Sequence, residues 1–238
     1  MTDSYVSPAP PPPPPPPAAA PAYDFIRPFA FVFEDPNWVT KILLGGVFFL
    51  LSFLLIGIFF ISGYIAQLVR NVIDGKQHPL PEWDTLGEYF TEGLMLFCVG
   101  LLYSLPIIVA AFAIGIPSTL LNAVEHEGAR NLGGGVLGCA SCMVVPFAMA
   151  IMFFMPAGLL MAVTTRRFGA AFEFGRVWEF IRDNIGNYLL AIVIYIVARF
   201  IASFGIILLC IGVIFTDFWA LTVSGFAFAQ VYRMSVRR

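Results

Sequence analysis

The stretch that decides the fold is residues 187–232, NYLLAIVIYIVARFIASFGIILLCIGVIFTDFWALTVSGFAFAQVY, whose only charged side chains are Arg199 and Asp217. As one helix it would be about 69 Å long, more than twice the ~30 Å hydrocarbon core of a bilayer. The chain must therefore reverse direction inside it. We predict a hairpin that turns at residues 208–212, with membrane segments at about 187–208 and 212–232.

The whole chain shares this apolar character. Of its 238 residues, 59% are hydrophobic and 12% are charged, whereas about a quarter of the residues in soluble domains are charged. A net charge of -2 offers no basic surface for nucleic acid, so we expect no such partner. The sequence predicts an all-α integral membrane protein, a polytopic helical bundle of five or six membrane segments with interfacial amphipathic helices and a weak internal repeat.

Three further apolar stretches, at about 39–69, 93–124 and 136–163, are long enough to span a membrane. Together with the hairpin they define a helical membrane domain at residues 23–238. Residues 1–22 form a Pro-rich tail that lacks the pattern of a signal peptide, and we predict that it is disordered. Its unbroken run of prolines at residues 10–17 favours a polyproline II spacer.

The weak repeat is a pattern A-x-x-x-R that ends three membrane segments: AQLVR at 66–70, AVTTR at 162–166 and AQVYR at 229–233. Lys and Arg collect near the same ends, and in short loops they mark the cytoplasmic side. The nine residues are Arg70, Lys76, Arg166, Arg167, Arg176, Arg182, Arg233, Arg237 and Arg238, against Arg130 alone in the loop between the second and third segments. We therefore predict that residues 72–92, residues 166–186 and the C-terminus are cytoplasmic.

The side of the membrane on which the N-terminus lies is harder to predict. Five full spans would place it outside, whereas the repeat and the missing signal peptide favour the inside. The two arguments agree if the first segment, which contains Gly45, Gly46 and Gly57, is a bent or re-entrant pair of short helices.

The most polar stretch is VIDGKQHPLPEWDTLGEYFTEG at residues 72–93. Pro81 is able to open a helix at its first turn, which would place Trp83 at headgroup depth on an interfacial helix. The same helix would carry Asp84, Glu88 and Glu92 on one face, at i, i+4 and i+8. We interpret these carboxylates as a solvated face that is able to dock a basic partner.

An alternative interpretation makes His78, Glu82, Asp84 and Glu88 a general acid/base or metal cluster. The stretch contains a single histidine and no H-E-x-x-H motif, so the sequence favours the solvated face. We predict no catalytic residue, no metal site and no cofactor.

The segments DPNWVTKILLGG, GYIAQLVRNVIDG, LPEWDTLGEYFTEGL and LLYSLP resemble a family of bacterial and archaeal membrane proteins known as domain of unknown function four-zero-one-three. The resemblance is close from residue 25 to about residue 106 and looser to the C-terminus, and the Gly-rich, Cys-containing third segment departs from it. It implies a multi-span helical membrane protein and no particular activity. The most specific positions, here called the signature residues, are Gly63, Tyr64, Leu80, Pro81, Glu82 and Trp83.

Arg199 and Asp217 lie at equal distances from the centre of the predicted hairpin, so we expect them to meet as an intramembrane ion pair. Such a pair fixes the register of two helices, or it marks a solute pathway. A solute pathway would also involve Asn122 and helix kinks at four prolines, Pro106, Pro117, Pro146 and Pro156.

The spans contain few polar side chains that could coordinate a solute, and the polar residues collect at the membrane interface. We therefore expect a non-enzymatic multi-pass protein of a prokaryotic cell membrane, a scaffold or accessory subunit with a cytoplasmic docking face. Its expected partners are membrane lipid and a protein at that face. The alternative is a small-solute or lipid transporter or channel that uses Arg199 and Asp217.

Overall fold

A computed structural model describes residues 23–123, 127–207 and 211–236. In these ranges the chain is helical and forms no strand. The α-helices are α1 (Arg27–Ala30), α2 (Trp38–Leu51), α3 (Ile56–Asp74), α4 (Leu86–Asn122), α5 (Glu127–Thr165), α6 (Phe174–Asp183), α7 (Ile185–Ser203) and α8 (Ile211–Val236), with 3-10 turns at Ser52–Leu54, Phe168–Phe172 and Phe204–Ile207.

Five of these helices, α3, α4, α5, α7 and α8, are long and apolar enough to cross a membrane. The all-α polytopic bundle predicted from the sequence is confirmed. The Pro-rich tail, residues 1–22, lies outside the described residues, as do residues 208–210, where the last hairpin was predicted to turn.

The predicted first segment consists of two helices in the structure. The turn Ser52–Leu54 and Leu55, whose φ of 63° is left-handed, separate α2 from α3. The rings of Phe48 and Phe60 are 5.0 Å apart, so the two helices fold back on each other. With 14 residues, α2 is only about 21 Å long, too short to cross a hydrocarbon core.

The glycines of this segment serve close packing. A Cβ at Gly45 would overlap the ring of Phe218, and one at Gly46 would overlap the ring of Phe215. Both rings belong to α8. At Gly57 a Cβ would overlap the backbone at the end of α2, nearest to the carbonyl oxygen of Phe48. The bend lies between the glycines, and the glycines allow close approach of α8 to α2 and of α2 to α3.

The longest helices are α4, with 37 residues, and α5, with 39. Both run without interruption through their two internal prolines, so the kinks expected at these positions do not break either helix. Many apolar side chains are exposed on the later part of α4 and on α5 up to its middle, among them Phe112, Ile116, Leu132 and Phe147. This surface is suited to contact with lipid.

The last two membrane helices, α7 and α8, pack through small residues. Ala191, Ala198 and Ala202 on α7 are fully buried. The hydroxyl of Thr216 on α8 donates to the carbonyl of Ala202 at 2.8 Å, which ties the two helices near the reversal.

One interfacial amphipathic helix is α6, within the region predicted as the loop 166–186. It buries Val177, Phe180 and Ile181 and leaves Trp178 and Arg182 exposed. An apolar face of this kind, with an exposed Trp beside it, is typical of a helix that lies in the membrane interface.

Candidate functional site

The signature residues, far apart in the sequence, meet in one cluster. The ring of Trp83 stacks on the ring of Tyr64, with centroids 4.3 Å apart and planes 15° from parallel. The hydroxyl of Tyr64 donates to the carbonyl of Pro81 at 3.1 Å. These contacts fasten the segment after α3 back onto α3 itself.

This fastening explains why the predicted helix start at Pro81 is wrong. The chain remains non-helical up to Thr85, and α4 begins at Leu86. Trp83 inserts between aromatic rings, and its Nε1 donates to the carbonyl of Lys41 at 3.1 Å. The indole therefore packs against the protein core and does not lie on an interfacial helix.

A cluster of charged side chains that the sequence pattern did not predict joins this segment to α2, with Lys41 and Asp35 buried and Glu82 exposed. Lys41 is buried near the start of α2, and its Nζ lies 2.8 Å from Oδ2 of Asp35 and 2.7 Å from Oε1 of Glu82. The same nitrogen donates to the carbonyl of Leu80 at 3.1 Å. One ammonium group thus joins the chain before α2 to the segment after α3.

The electrostatics of this cluster keep the lysine charged. Burial lowers the pKa of Lys41, but its hydrogen bonds to Asp35 and Glu82 raise it, and the net shift is upward. A cation paired and hydrogen-bonded in this way resists the neutralisation that an isolated buried charge undergoes. The signal in the sequence was a lone lysine inside the apolar run VTKILLGG, because a buried charge requires a partner.

Close backbone contact between α3 and α4 accounts for Gly63. A Cβ at Gly63 would overlap the backbone of Tyr89, and one at Gly93 would overlap the carbonyl of Phe59. The hydroxyl of Tyr89 donates to the carbonyl of Glu82 at 2.5 Å. The family signature therefore describes a packing junction between α3, α4 and the segment that joins them.

Amides on α3 hold the beginning of the same segment. Nδ2 of Asn71 donates to the carbonyl of Pro79 at 2.9 Å, and Nε2 of Gln67 donates to Oδ1 of Asn71 at 3.1 Å. Gln67 in turn accepts from Nη2 of Arg70 at 2.8 Å. Polar side chains on one helix thus bind the backbone of the segment along its length.

The three carboxylates predicted as one docking face differ in their surroundings. Asp84 precedes α4 and is exposed, and Glu88 is exposed in its first turn. The side chain of Glu92 is only 21% exposed and is paired with Arg70. The alternative cluster gains no support, since no group of three or more His, Cys, Asp or Glu side chains in the described ranges is placed to hold a metal ion.

Two of the A-x-x-x-R ends meet at Glu92. Arg70 binds one carboxylate oxygen, and Nε of Arg166 lies 3.9 Å from the other. The third end is near, because a Cβ at Gly75, the residue after α3, would lie 2.7 Å from Nη2 of Arg233. All three ends therefore gather around the last turns of α3.

Arg199 and Asp217 are brought together across α7 and α8, with Nη1 of the arginine 2.9 Å from Oδ1 of the aspartate. The side chain of Arg199 is 42% exposed and that of Asp217 is 18% exposed, so the pair lies at the outer surface of the two helices. The side chain of Asn122, the third residue of the predicted pathway, lies outside the described residues.

The five helices that are long and apolar enough to cross a membrane define the class of the protein as a multi-pass helical membrane protein. The chain belongs to the family described as Protein of unknown function (DUF4013), whose model matches residues 47–211. That range includes all six signature residues but not Asp35, Lys41 or the last A-x-x-x-R end at 229–233. No curated protein and no solved structure matches the chain.

Proposed function

We propose that this protein is a non-enzymatic scaffold or accessory subunit of a prokaryotic cell membrane, which docks a basic protein partner at its cytoplasmic face. The observation that carries the proposal is the locked segment at residues 79–85. Its carbonyls are held by Lys41, Tyr64 and Asn71, so it presents its exposed side chains from a rigid base. Rigid presentation reduces the entropy that a contact surface loses on binding.

The docking surface proposed here consists of Asp84 and Glu88, together with the exposed side chain of Glu82. Glu92 is left out because it is paired with Arg70 inside the bundle. Exposed carboxylates of one sign attract a basic surface and increase the rate of encounter, an effect that salt weakens. The position of the nine Lys and Arg residues supports a cytoplasmic location for this surface.

The test is affinity purification of the full chain in native lipid particles, followed by quantification of stoichiometric protein partners. The double variant Asp84→Asn/Glu88→Gln should lose such a partner, because both charges of the docking surface outside the Lys41 cluster are removed. A matched control, Glu173→Gln/Asp183→Asn, removes two charges near α6 and should retain it. Equal recovery from all three proteins, or no stoichiometric partner from the wild type, would contradict the docking proposal.

A transporter or channel is the second candidate, and the Arg199–Asp217 pair in apolar helices is the observation that favours it. Ionisable residues in membrane segments commonly mark ion or proton pathways. Solute or proton flux in liposomes should then fall on Arg199→Ala while the variant remains folded. Undiminished flux in this variant, or no flux in the wild type, would reject this candidate.

A further inference from the structure

A cavity of about 230 Å³ lies between α3, α4 and the end of α5. Met95, Leu96 and Val163 are among its apolar lining residues, and Arg70 and Arg166 are its basic lining residues. Its volume is several times the roughly 30 Å³ that one water molecule occupies in the liquid. A cavity with both kinds of wall is suited to a ligand that is charged at one end and apolar at the other.

Arg70 is held in place before any ligand arrives. Its Nε and Nη2 donate to Oε1 of Gln67 at 3.2 and 2.8 Å, and Nη2 is also paired with Glu92. These bonds do not use Nη1, which leaves two N–H groups for another acceptor. A guanidinium group fixed in this way loses little freedom when it binds an anion.

Arg166 occupies a backbone position that normally favours glycine. It follows the last residue of α5, Thr165, and its φ of 52° is left-handed. Helices commonly end on a glycine in this conformation, because a Cβ is unfavourable there. An arginine at this position indicates that its side chain, which is 69% exposed and lies at the cavity, has a use of its own.

The charges around the cavity favour an anion. Arg70 and Arg166 carry two positive charges against the one negative charge of Glu92, so the charged residues that line the cavity sum to one positive charge. Paired guanidinium groups bind phosphate oxygens with strong, directional hydrogen bonds. The residues concerned belong to the ends that the distribution of Lys and Arg assigns to the cytoplasmic side.

We infer that this cavity binds the phosphate of an anionic phospholipid headgroup, with Arg70 and Arg166 as its ligands and the acyl chains against Met95, Leu96 and Val163. Basic pockets between membrane helices bind anionic lipid headgroups in this way. This site is separate from the acidic docking surface and does not depend on it. The first two A-x-x-x-R ends thereby acquire a shared role, since each contributes one arginine to the same phosphate.

Native mass spectrometry tests the site on the full chain released from bilayers of equal parts phosphatidylglycerol and phosphatidylcholine. The wild type should retain phosphatidylglycerol preferentially. The ratio of retained phosphatidylglycerol to phosphatidylcholine should fall about tenfold in Arg166→Gly and in Arg70→Gln, because each variant removes a charge-assisted hydrogen bond. If Arg70→Gln does not fold, Arg166→Gly still tests the site. Glycine suits the left-handed backbone at this position, so the unfolding midpoint of the Arg166→Gly variant should not decrease.

The matched control is Arg182→Gln on α6, outside the cavity, where the arginine side chain is 64% exposed and therefore similar to Arg166. Its lipid ratio should equal that of the wild type. An equal decrease in Arg182→Gln and Arg166→Gly would overturn the site in favour of general attraction between the basic surface and anionic lipid. Displacement of phosphatidylglycerol by inorganic phosphate at low millimolar concentration would overturn the lipid assignment, since a soluble phosphate compound would then be the ligand.

Discussion

At the scale of single residues, the side chain of Lys41 connects parts of the chain that are distant in the sequence. Its ammonium group contacts Asp35 before α2 and both Leu80 and Glu82 after α3, so one side chain links three separate parts of the chain. The segment that carries the exposed Asp84 depends on this link. Loss of the charge would therefore affect both the stability of the fold and the presentation of the docking surface.

Lys41→Met should decrease the free energy of unfolding by about 3–5 kcal/mol, because the buried carboxylate of Asp35 is left without its cation. The double variant Lys41→Met/Asp35→Asn should recover much of this loss, since an amide oxygen still accepts the hydrogen bond that Asp35 receives from the backbone N–H of Asn37. Denaturant titration of the protein in detergent would measure both. Equal losses in the single and double variants would show that the charge pair is not the source of the effect.

The raised pKa of Lys41 predicts a dependence of stability on pH. A group whose pKa is higher in the folded state stabilises the fold fully below its unfolded value, here 10.5, and loses this contribution as the pH rises through the folded value. The difference in unfolding midpoint between the wild type and Lys41→Met should therefore be constant from about pH 8 to about pH 10 and decrease above that. A difference that increases in alkali would contradict the upward shift.

These residue partnerships show where prediction from the sequence stops. A lone lysine in an apolar run indicates that a partner exists, but Glu82 is 41 positions away and only the folded chain selects it. Glu92 has the spacing of a solvated face with Asp84 and Glu88, and its pairing with Arg70 depends on how α3 packs against α4. The pattern of charges along a helix is local, whereas the choice between water and a distant cation is not.

At the scale of elements, the contact between α3 and α4 depends on two glycines. Gly63→Ala and Gly93→Ala should each decrease the free energy of unfolding by about 1–3 kcal/mol or more, because a Cβ would overlap the backbone of the facing helix. Gly87→Ala on the same helix α4 is the matched control. A Cβ there meets nothing within 4 Å, so this variant should gain up to about 1 kcal/mol from helix propensity.

Chemical denaturation of the three variants in one detergent would compare them directly. A similar change at all three positions would mean that backbone flexibility of glycine, rather than close helix packing, governs the junction.

The ion pair between Arg199 and Asp217 joins α7 and α8. Asp217→Asn should decrease stability by roughly 1–3 kcal/mol, because Arg199 loses the carboxylate that compensates its charge. Arg199→Leu/Asp217→Leu should lose less, since neither charge then remains. Thermal melts in detergent micelles would rank the two proteins, and the opposite order would mean that the pair adds net stability in its own right.

The apolar helices themselves were predictable because hydropathy is a local property of the sequence. The stretch 93–124 corresponds to the greater part of α4 and the stretch 136–163 to the greater part of α5. The start of α4 was not predictable from the sequence, because a proline such as Pro81 is common at the start of a helix. Only the structure shows that Tyr64 and Lys41 bind the carbonyl oxygens of Pro81 and Leu80 and hold this backbone in a non-helical conformation. The break between α2 and α3 occurs at Ser52–Leu54, a position that no glycine or proline marks.

At the scale of the whole molecule, the antiparallel pair α2 and α3 begins and ends at the same end of the bundle. Lys41 at the start of α2 contacts Leu80 after α3, so the chain before α2 and the segment after α3 lie at the same end of this pair. The helix α4 then carries the chain away to the other end. The prediction that residues 72–92 are cytoplasmic therefore extends to the chain before α2.

Cysteine labelling in sealed vesicles tests this arrangement, in a background where the four native cysteines are replaced by serine. Glu34→Cys lies before α2 and Gln77→Cys lies after α3, both at exposed positions. Both should react with an impermeant maleimide from the same face of the membrane. Gly128→Cys, near the start of α5, should react from the opposite face. Reaction of Glu34→Cys from the same face as Gly128→Cys would contradict this arrangement, because the α2–α3 pair would then cross the membrane once and end on the side opposite to where it began.

The length of α4 has a consequence for the bilayer around the protein. Its uncharged stretch, residues 94–121, is about 40 Å long and exceeds a hydrocarbon core of about 30 Å, whereas all 19 residues of α3, which include Arg70 and Asp74, measure only about 28 Å. To keep its apolar stretch within such a core, α4 must incline by about 40° or thicken the lipid beside it. A thicker bilayer would let the α4–α5 hairpin stand more upright, so the thickness of the host membrane becomes one of the variables that set the conformation of this protein.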